Sequence, residues 1–407
     1  MRFRSKQLVA LMTVIGLVAV AGATAGLVSA ASGTAKGLYG ESYNASPALL
    51  IKAFGTTKNI PQALLASVVR AGKPFTGAKL ALAIKCWKDG TCDTGTGGKV
   101  TVGLADGFGD NVWREVTHME FVLQALTYPE IGKIIYTNGH GDTQKQIADL
   151  RSLIAQKVDV IVGFPDAGAA VLPTYRQATA KGIVVVPYIS GPGGAAGKDY
   201  LSIVSEDLCQ LGKNFSDVLN KEVKTGKVAF LGGTPGNGLT KGWQACAKPA
   251  LAGTLQYLGS ADTNWTREGT LKAVSGFISK DPDIKGYAYE YADGFMGAVQ
   301  AYAAAKKPLN IVFASRTDEE VLFCEWKKIG NPNFKIFYSS GGGFDSRFAL
   351  TAAMMKKAGA TIPASLTVPV HMTRVDAKTC NTVLPAQAPA STLVPLTVLA
   401  AMYPAKG

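Results

Sequence analysis

From Lys99 onward the chain alternates short β-branched runs with amphipathic stretches of ten to sixteen residues, and this rhythm restricts the fold more than any other feature. Strands separated by helix-length crossovers pair in parallel, as βαβ units. The strand-like runs are Val100 to Ala105, Lys133 to Thr137, Val158 to Phe164, Ile183 to Ile189, Leu201 to Val204, Lys227 to Leu231, Gly286 to Glu290, Ile311 to Ala314, Lys335 to Ser339 and Leu366 to Val370. Helical patterns lie at Asn111 to Leu126, Thr143 to Gln156, Leu208 to Val223, Phe295 to Ala305 and Arg347 to Ala358. Val158-Asp-Val-Ile-Val nearly reads as the continuous apolar run of a strand buried on both faces. About ten strands exceed one comfortable open sheet, so the expected fold is α/β with two three-layer Rossmann-like lobes. A length of 407 residues agrees with two or three domains.

The first thirty residues read as an address. Arg2, Arg4 and Lys6 precede an almost wholly apolar stretch, Leu8 to Leu27, and Val28-Ser29-Ala30 fits the small-x-small cleavage rule. This predicts a signal peptide, 1–30, cut after Ala30; an uncleaved anchor is the rival reading, because the stretch is long enough to span a bilayer. No Cys follows it, so bacterial lipid attachment is not expected and the mature chain is placed in the periplasm or outside the cell. Removing the leader lowers the formal charge from +13 to about +10. That charge carries no Lys/Arg run longer than two and no basic-aromatic interleaving, which argues against a nucleic-acid partner.

Residues 31–98 have a character of their own, apolar in a helical rhythm from Ser46 to Arg70, then a cysteine loop and Thr94-Gly-Thr-Gly-Gly98; they read as an N-terminal helical extension. Six cysteines suit an oxidising compartment. Cys86 and Cys92 flank the turn dipeptide Asp89-Gly90 and are expected to pair, while Cys209, Cys246, Cys324 and Cys380 leave three pairings open. With no CxxC pair and only His118, His140 and His371, no metal site and no cofactor is expected. A Pro/Ala-rich tail, 381–407, ends the chain.

Enzyme templates fail on their chemistry. Gly191 to Lys198 follows a strand as a phosphate loop would, but Pro192 stands at the first glycine and Asp199 where a magnesium-binding hydroxyl is needed. Gly107-Phe-Gly109 lacks the third glycine of a dinucleotide fingerprint, Val112 standing there, and no G-x-S-x-G or H-E-x-x-H occurs. The chain is therefore expected not to be an enzyme. Instead, polar and aromatic residues recur where strands end, the place at which open α/β sheets bind ligands. These are Asp110, Asn111 and Trp113; Phe164 and Asp166; Tyr188; Asn237 and Lys241; Asp293; Arg316 and Asp318; and Ser340. Any one Asp or Asn there could be a helix cap, but seven such loops together read as a binding cleft. Rings such as Trp113, Phe164 or Trp265 suit the apolar faces of a sugar, and carboxylates and amides suit its hydroxyls.

Three stretches carry a family resemblance: Val158 to Pro165-Asp166 running on to Gly182-Ile-Val-Val-Val-Pro187, then Ile203-Val-Ser-Glu-Asp207, then Gly286 to Asp293 and Gly297-Ala298. Over about Lys99 to Val375 the chain resembles the type I periplasmic solute-binding proteins, most closely the ribose- and xylose-like sugar-binding subunits of ABC importers. The resemblance implies two lobes joined by a three-strand hinge, crossing near Ser205, Ser339 and Ile362. Lobe 1 is then 99–204 plus 339–362, and lobe 2 is 205–338 plus 363–380. It implies sugar contacts from Asp110, Asn111, Trp113, Asp166, Asp293, Arg316 and Asp318, with Ser340 near the hinge and Lys241 in place of the usual Arg. It also places four cysteines in lobe 2, favouring Cys209 with Cys246 and Cys324 with Cys380. The implied function is capture of a small molecule, a monosaccharide, by a monomer that delivers it to the membrane permease of an ABC transporter. A sensor that presents its closed form to a chemoreceptor or sensor kinase is the alternative, and an enzyme on the same fold the third.

Overall fold

The computed structural model describes residues 43–404, so the expected leader and cleavage site lie outside the described residues. The first sheet runs β1-β3-β2-β4-β5, where β1 is Thr91–Asp93, β2 Val100–Asp106, β3 Ile131–Asn138, β4 Val160–Phe164 and β5 Val184–Pro187. All neighbours are parallel except β1, which pairs antiparallel with β3. β6 (Ile203–Glu206) leaves this lobe, and the second sheet follows with β7 (Gly226–Gly232), β8 (Leu255–Asp262), β9 (Ile284–Tyr289), β10 (Val312–Ser315) and β11 (Lys335–Tyr338). Its order is β13-β11-β10-β9-β7-β8, with β13 (Thr373–Arg374) added antiparallel at the edge. β12 (Ser365–Val368) pairs in parallel with β6 as a separate two-stranded sheet.

Helix starts follow local chemistry. Asn111, Asp142, Asp207, Asn237 and Thr266 each accept a backbone N–H from the first turn of the helix they precede, which satisfies donors that a helix leaves orphaned. The central strands β4 and β10 are buried on both faces, and their apolar runs are why they were legible. The edge strand β8, Leu-Gln-Tyr-Leu-Gly-Ser-Ala-Asp, was missed: it is mostly half-exposed, poor in β-branched residues and interrupted by Gly259 at φ 124°.

One expectation needs correction. The hinge is not three strands: β6 and β12 pair, but the Ser339 crossing passes through turns at Gly341 and Gly342, with φ 68° and 60°, into the helix Asp345–Lys357. In the described part of the segment 31–98, β1 joins the first sheet and the helix Gln62–Ala71 packs on the helices Val112–Ala125 and Asp345–Lys357. Backbone bonds join Ala386, Ala388 and Ala390 to the segment Asp318 to Val321 of the second lobe, and Thr392, Leu393 and Val394 then bond Glu120 of the first. The described C-terminal residues are thus a strap across both lobes. Cys324–Cys380 ties its start to the second lobe, Cys209–Cys246 joins two helices of that lobe, and Cys86–Cys92 links the helix Gly77–Asp89 to β1.

Candidate functional site

The C-terminal ends of the two parallel sheets face each other, and between them lies a partly open cavity. Asn111, Trp113, Arg114 and Phe164 line it from the first lobe; Leu239, Trp265, Glu290, Tyr291, Arg316 and Thr317 line it from the second.

On the first lobe the organising residue is Arg114. Its Nη1 donates to Asp106 Oδ1 at 2.5 Å, its Nη2 to Asp166 Oδ1 at 2.8 Å, and its guanidinium lies 3.5 Å from the centre of the Phe164 ring. Burial opposes the charge on Arg114, but Asp106 and Asp166 more than offset it and hold the guanidinium protonated. Burial also lifts Asp166, to about 6, although Arg114 pulls the other way. Trp113 is only 5% exposed and donates its Nε1–H to Gly341 O of the hinge at 3.1 Å, so the indole is both cavity wall and hinge contact.

On the second lobe the organising residue is Glu290. Its carboxylate accepts from Thr240 Oγ1 at 2.6 Å, from Trp265 Nε1 at 2.8 Å and from Trp243 Nε1. Burial raises its pKa and those three bonds resist the rise. Trp265 is held at φ 51°, beside Asn264 at φ 53°, a left-handed pair without glycine. Non-glycine residues adopt this region at a cost, which cross-links such as that to Glu290 sustain. Its ring lies 6.1 Å from Phe108 of the opposite lobe, so the two aromatics meet across the cleft. Arg316 donates from Nε to Glu206 Oε2 at 2.5 Å and lies 5.3 Å from the Trp113 ring.

Of the residues anticipated from sequence, Asn111, Trp113, Phe164, Trp265 and Arg316 meet in this cavity. The others do not line it. Asp110 is exposed and takes Asn138 Nδ2 and His140 Nδ1. Asp166 is drawn behind Arg114, and Tyr188 packs edge-on beneath Phe164. Asn237 is spent as a helix cap and Lys241 points to solvent. Asp293 is clamped by Arg267 at 2.5 Å, Asp318 accepts Ser391 N at 2.8 Å, and the Ser340 carbonyl takes Ser391 Oγ. The carboxylates expected to face a ligand have therefore been claimed by neighbours. Arg114, Leu239, Glu290, Tyr291 and Thr317 were not singled out. For Arg114 a signal existed: Asp106 and Asp166 end adjacent strands β2 and β4 and need a buried cation, and Arg114 stands in the first turn after Asn111.

A family model described as a periplasmic binding protein domain matches residues 102–325. The ribose import binding protein RbsB of Bacillus subtilis (strain 168) is 23% identical over 180 residues, 44% of this chain; the chain spans 58% of that relative's length. Among solved structures, a periplasmic solute-binding protein of an ABC transporter from Actinobacillus succinogenes 130z, with bound D-allose, superposes with TM-score 0.60 at 20% identity, over 69% of this chain and 98% of that one. The arabinose ABC transporter binding protein of Shewanella sp. ANA-3, bound to L-arabinofuranose, gives 0.61 at 19% identity over 67% and 92%. At such identities the structures speak for the fold alone. The family model, by contrast, spans more than half of the chain, and from it we conclude that this protein belongs to the periplasmic binding protein domain family.

Proposed function

We propose that the protein is an exported solute-binding protein that captures one monosaccharide between its lobes and hands it to the membrane permease of an ABC transporter. The observation that carries this reading is the interlobe cavity, with aromatic walls from both lobes and polar side chains among them. Indole and phenyl faces accept the apolar face of a sugar ring, while Asn111, Tyr291 and the two guanidiniums reach its oxygens. Three crossings give the lobes a hinge about which such a cleft opens and closes, and ligand binding shifts that equilibrium towards the closed form. Relatives of this fold whose structures contain D-allose or L-arabinofuranose favour a sugar over other small solutes, and the leader 1–30 supplies the export signal.

The test is a thermal-shift screen of the mature chain, 31–407, over monosaccharides, amino acids and nucleosides, followed by calorimetry on the hits. A ligand that binds only the folded state raises the melting temperature. A monosaccharide is expected to do so; a shift with amino acids or nucleosides alone would overturn the sugar assignment.

A further inference from the structure

Most hydrogen-bonding groups at the cavity wall are already engaged by neighbours. Two guanidiniums, Arg114 and Arg316, line it. Of the acids expected there, Asp166, Asp293 and Asp318 are turned away to Arg114, Arg267 and Ser391. Glu290 does line the cavity, but its two oxygens already serve Thr240, Trp243 and Trp265. Thr317 is spent as well, donating to Glu319 Oε2 and accepting from Ala292 N. A neutral sugar presents hydroxyls, each of which brings a proton that needs an acceptor. A carboxylate brings acceptors only.

The two arginines are not equivalent. Arg114 divides itself between two carboxylates. Arg316 has one, Glu206, bonded through Nε, and its Nη2 has no partner among the described residues although the side chain is buried. Asp345, on the adjoining helix start, makes no ion pair with it, and both its oxygens are unpartnered; burial, reinforced by Glu206, pushes the pKa of this acid up, which weakens its claim on the guanidinium. A guanidinium with a free edge at the wall of a cavity is a fork for two coplanar oxygens.

We propose that the ligand is an acidic monosaccharide, a uronate, whose carboxylate sits on Arg316 while its ring lies against Trp113 and Trp265. This deepens, and rests on, the reading of the cleft as a sugar site.

The test compares matched pairs by calorimetry on the wild-type mature chain: D-galacturonate with D-galactose, D-glucuronate with D-glucose, and D-mannuronate with D-mannose. In at least one pair the acid is expected to bind tenfold or more tighter than its neutral partner. The Arg316→Gln variant should shrink that ratio to near one, and Arg316→Lys should restore part of it; a circular-dichroism melt shows which variants are folded. Tighter or equal binding of the neutral sugar in every pair that binds would overturn the acidic assignment and leave the sugar reading standing. Binding of neither member of any pair would overturn both.

Discussion

Two buried arginine–carboxylate clusters lie on opposite sides of the hinge, and they end in opposite states. Behind it, Glu120 Oε1 accepts from Thr392 Oγ1, Leu393 N and Val394 N at 2.7, 2.7 and 3.1 Å, and Oε2 takes the Arg347 Nε–H. Arg347 in turn donates from Nη1 to Gln124 Oε1 at 2.9 Å, and Gln124 to Thr351. Beneath the cleft, Arg316 and Glu206 make one bond, while Arg316 Nη2, Glu206 Oε1 and both oxygens of Asp345 stay unpartnered. A buried polar atom without a partner costs about 1–3 kcal/mol. The complete network is therefore a fastening, holding the C-terminal strap to the first lobe; the incomplete one marks where a bound molecule has bonds to offer.

The contrast breaks most readily at the fastening. Glu120→Ala leaves Arg347 buried without its carboxylate and frees the strap, and such a loss costs about 3–5 kcal/mol. Urea unfolding should show it as a lower midpoint. A change below about 1 kcal/mol would show that the strap does not secure the first lobe. Next in size is the tether at the other end of the strap. Cys324→Ser with Cys380→Ser opens a cross-link 56 residues apart and should cost about 2–5 kcal/mol, more than losing Cys86–Cys92, separated by 6.

At the cleft the order of effects should reverse, with binding changed more than stability. Tyr291→Phe removes one hydroxyl from the cavity wall, so affinity for the best ligand should fall up to about tenfold, near 1.4 kcal/mol, with the melting temperature almost unmoved. A collapsed melting temperature with unaltered affinity would assign Tyr291 to the core.

Acidity tests the same contrast without mutation. Burial lifts Glu319 and Glu320 to about 7 and Asp166 to about 6. Between their unfolded values and these, the folded chain holds protons that the unfolded chain has released, so this stabilisation is complete below about pH 4 and is lost as pH rises through 6 to 7. The melting temperature should fall from pH 5 to pH 8, and Glu319→Gln should flatten that slope. The smallest effect is reserved for Asp110→Asn: the residue is exposed and outside the cavity, so both stability and affinity should change by less than about 0.5 kcal/mol.

What could be read in advance follows how local each feature is. The strands β4 and β10 are continuous apolar runs because both their faces are covered, whereas the edge strand β8 carries no such mark. Asn111 and Asn237 were rightly placed at loop ends, yet their side chains cap helices, a role decided by backbone N–H groups one to three residues away. Arg114 escaped notice because its importance depends on two carboxylates, 8 and 52 residues distant in sequence, that the sheet brings side by side.

By itself the sequence determined the alternation of strand and helix, hence the parallel α/β lobes, the family likeness and the aromatic character of the cleft. These depend on periodicity and on residues near one another along the chain. Only the tertiary structure decided which acids remain free to meet a ligand and that the Pro/Ala-rich end straps the lobes together. Ion pairs such as Arg267–Asp293 and bonds such as Ser391 to Asp318 join residues 26 and 73 apart. Electrostatics acts through space, and no local pattern records which partner a buried charge will find.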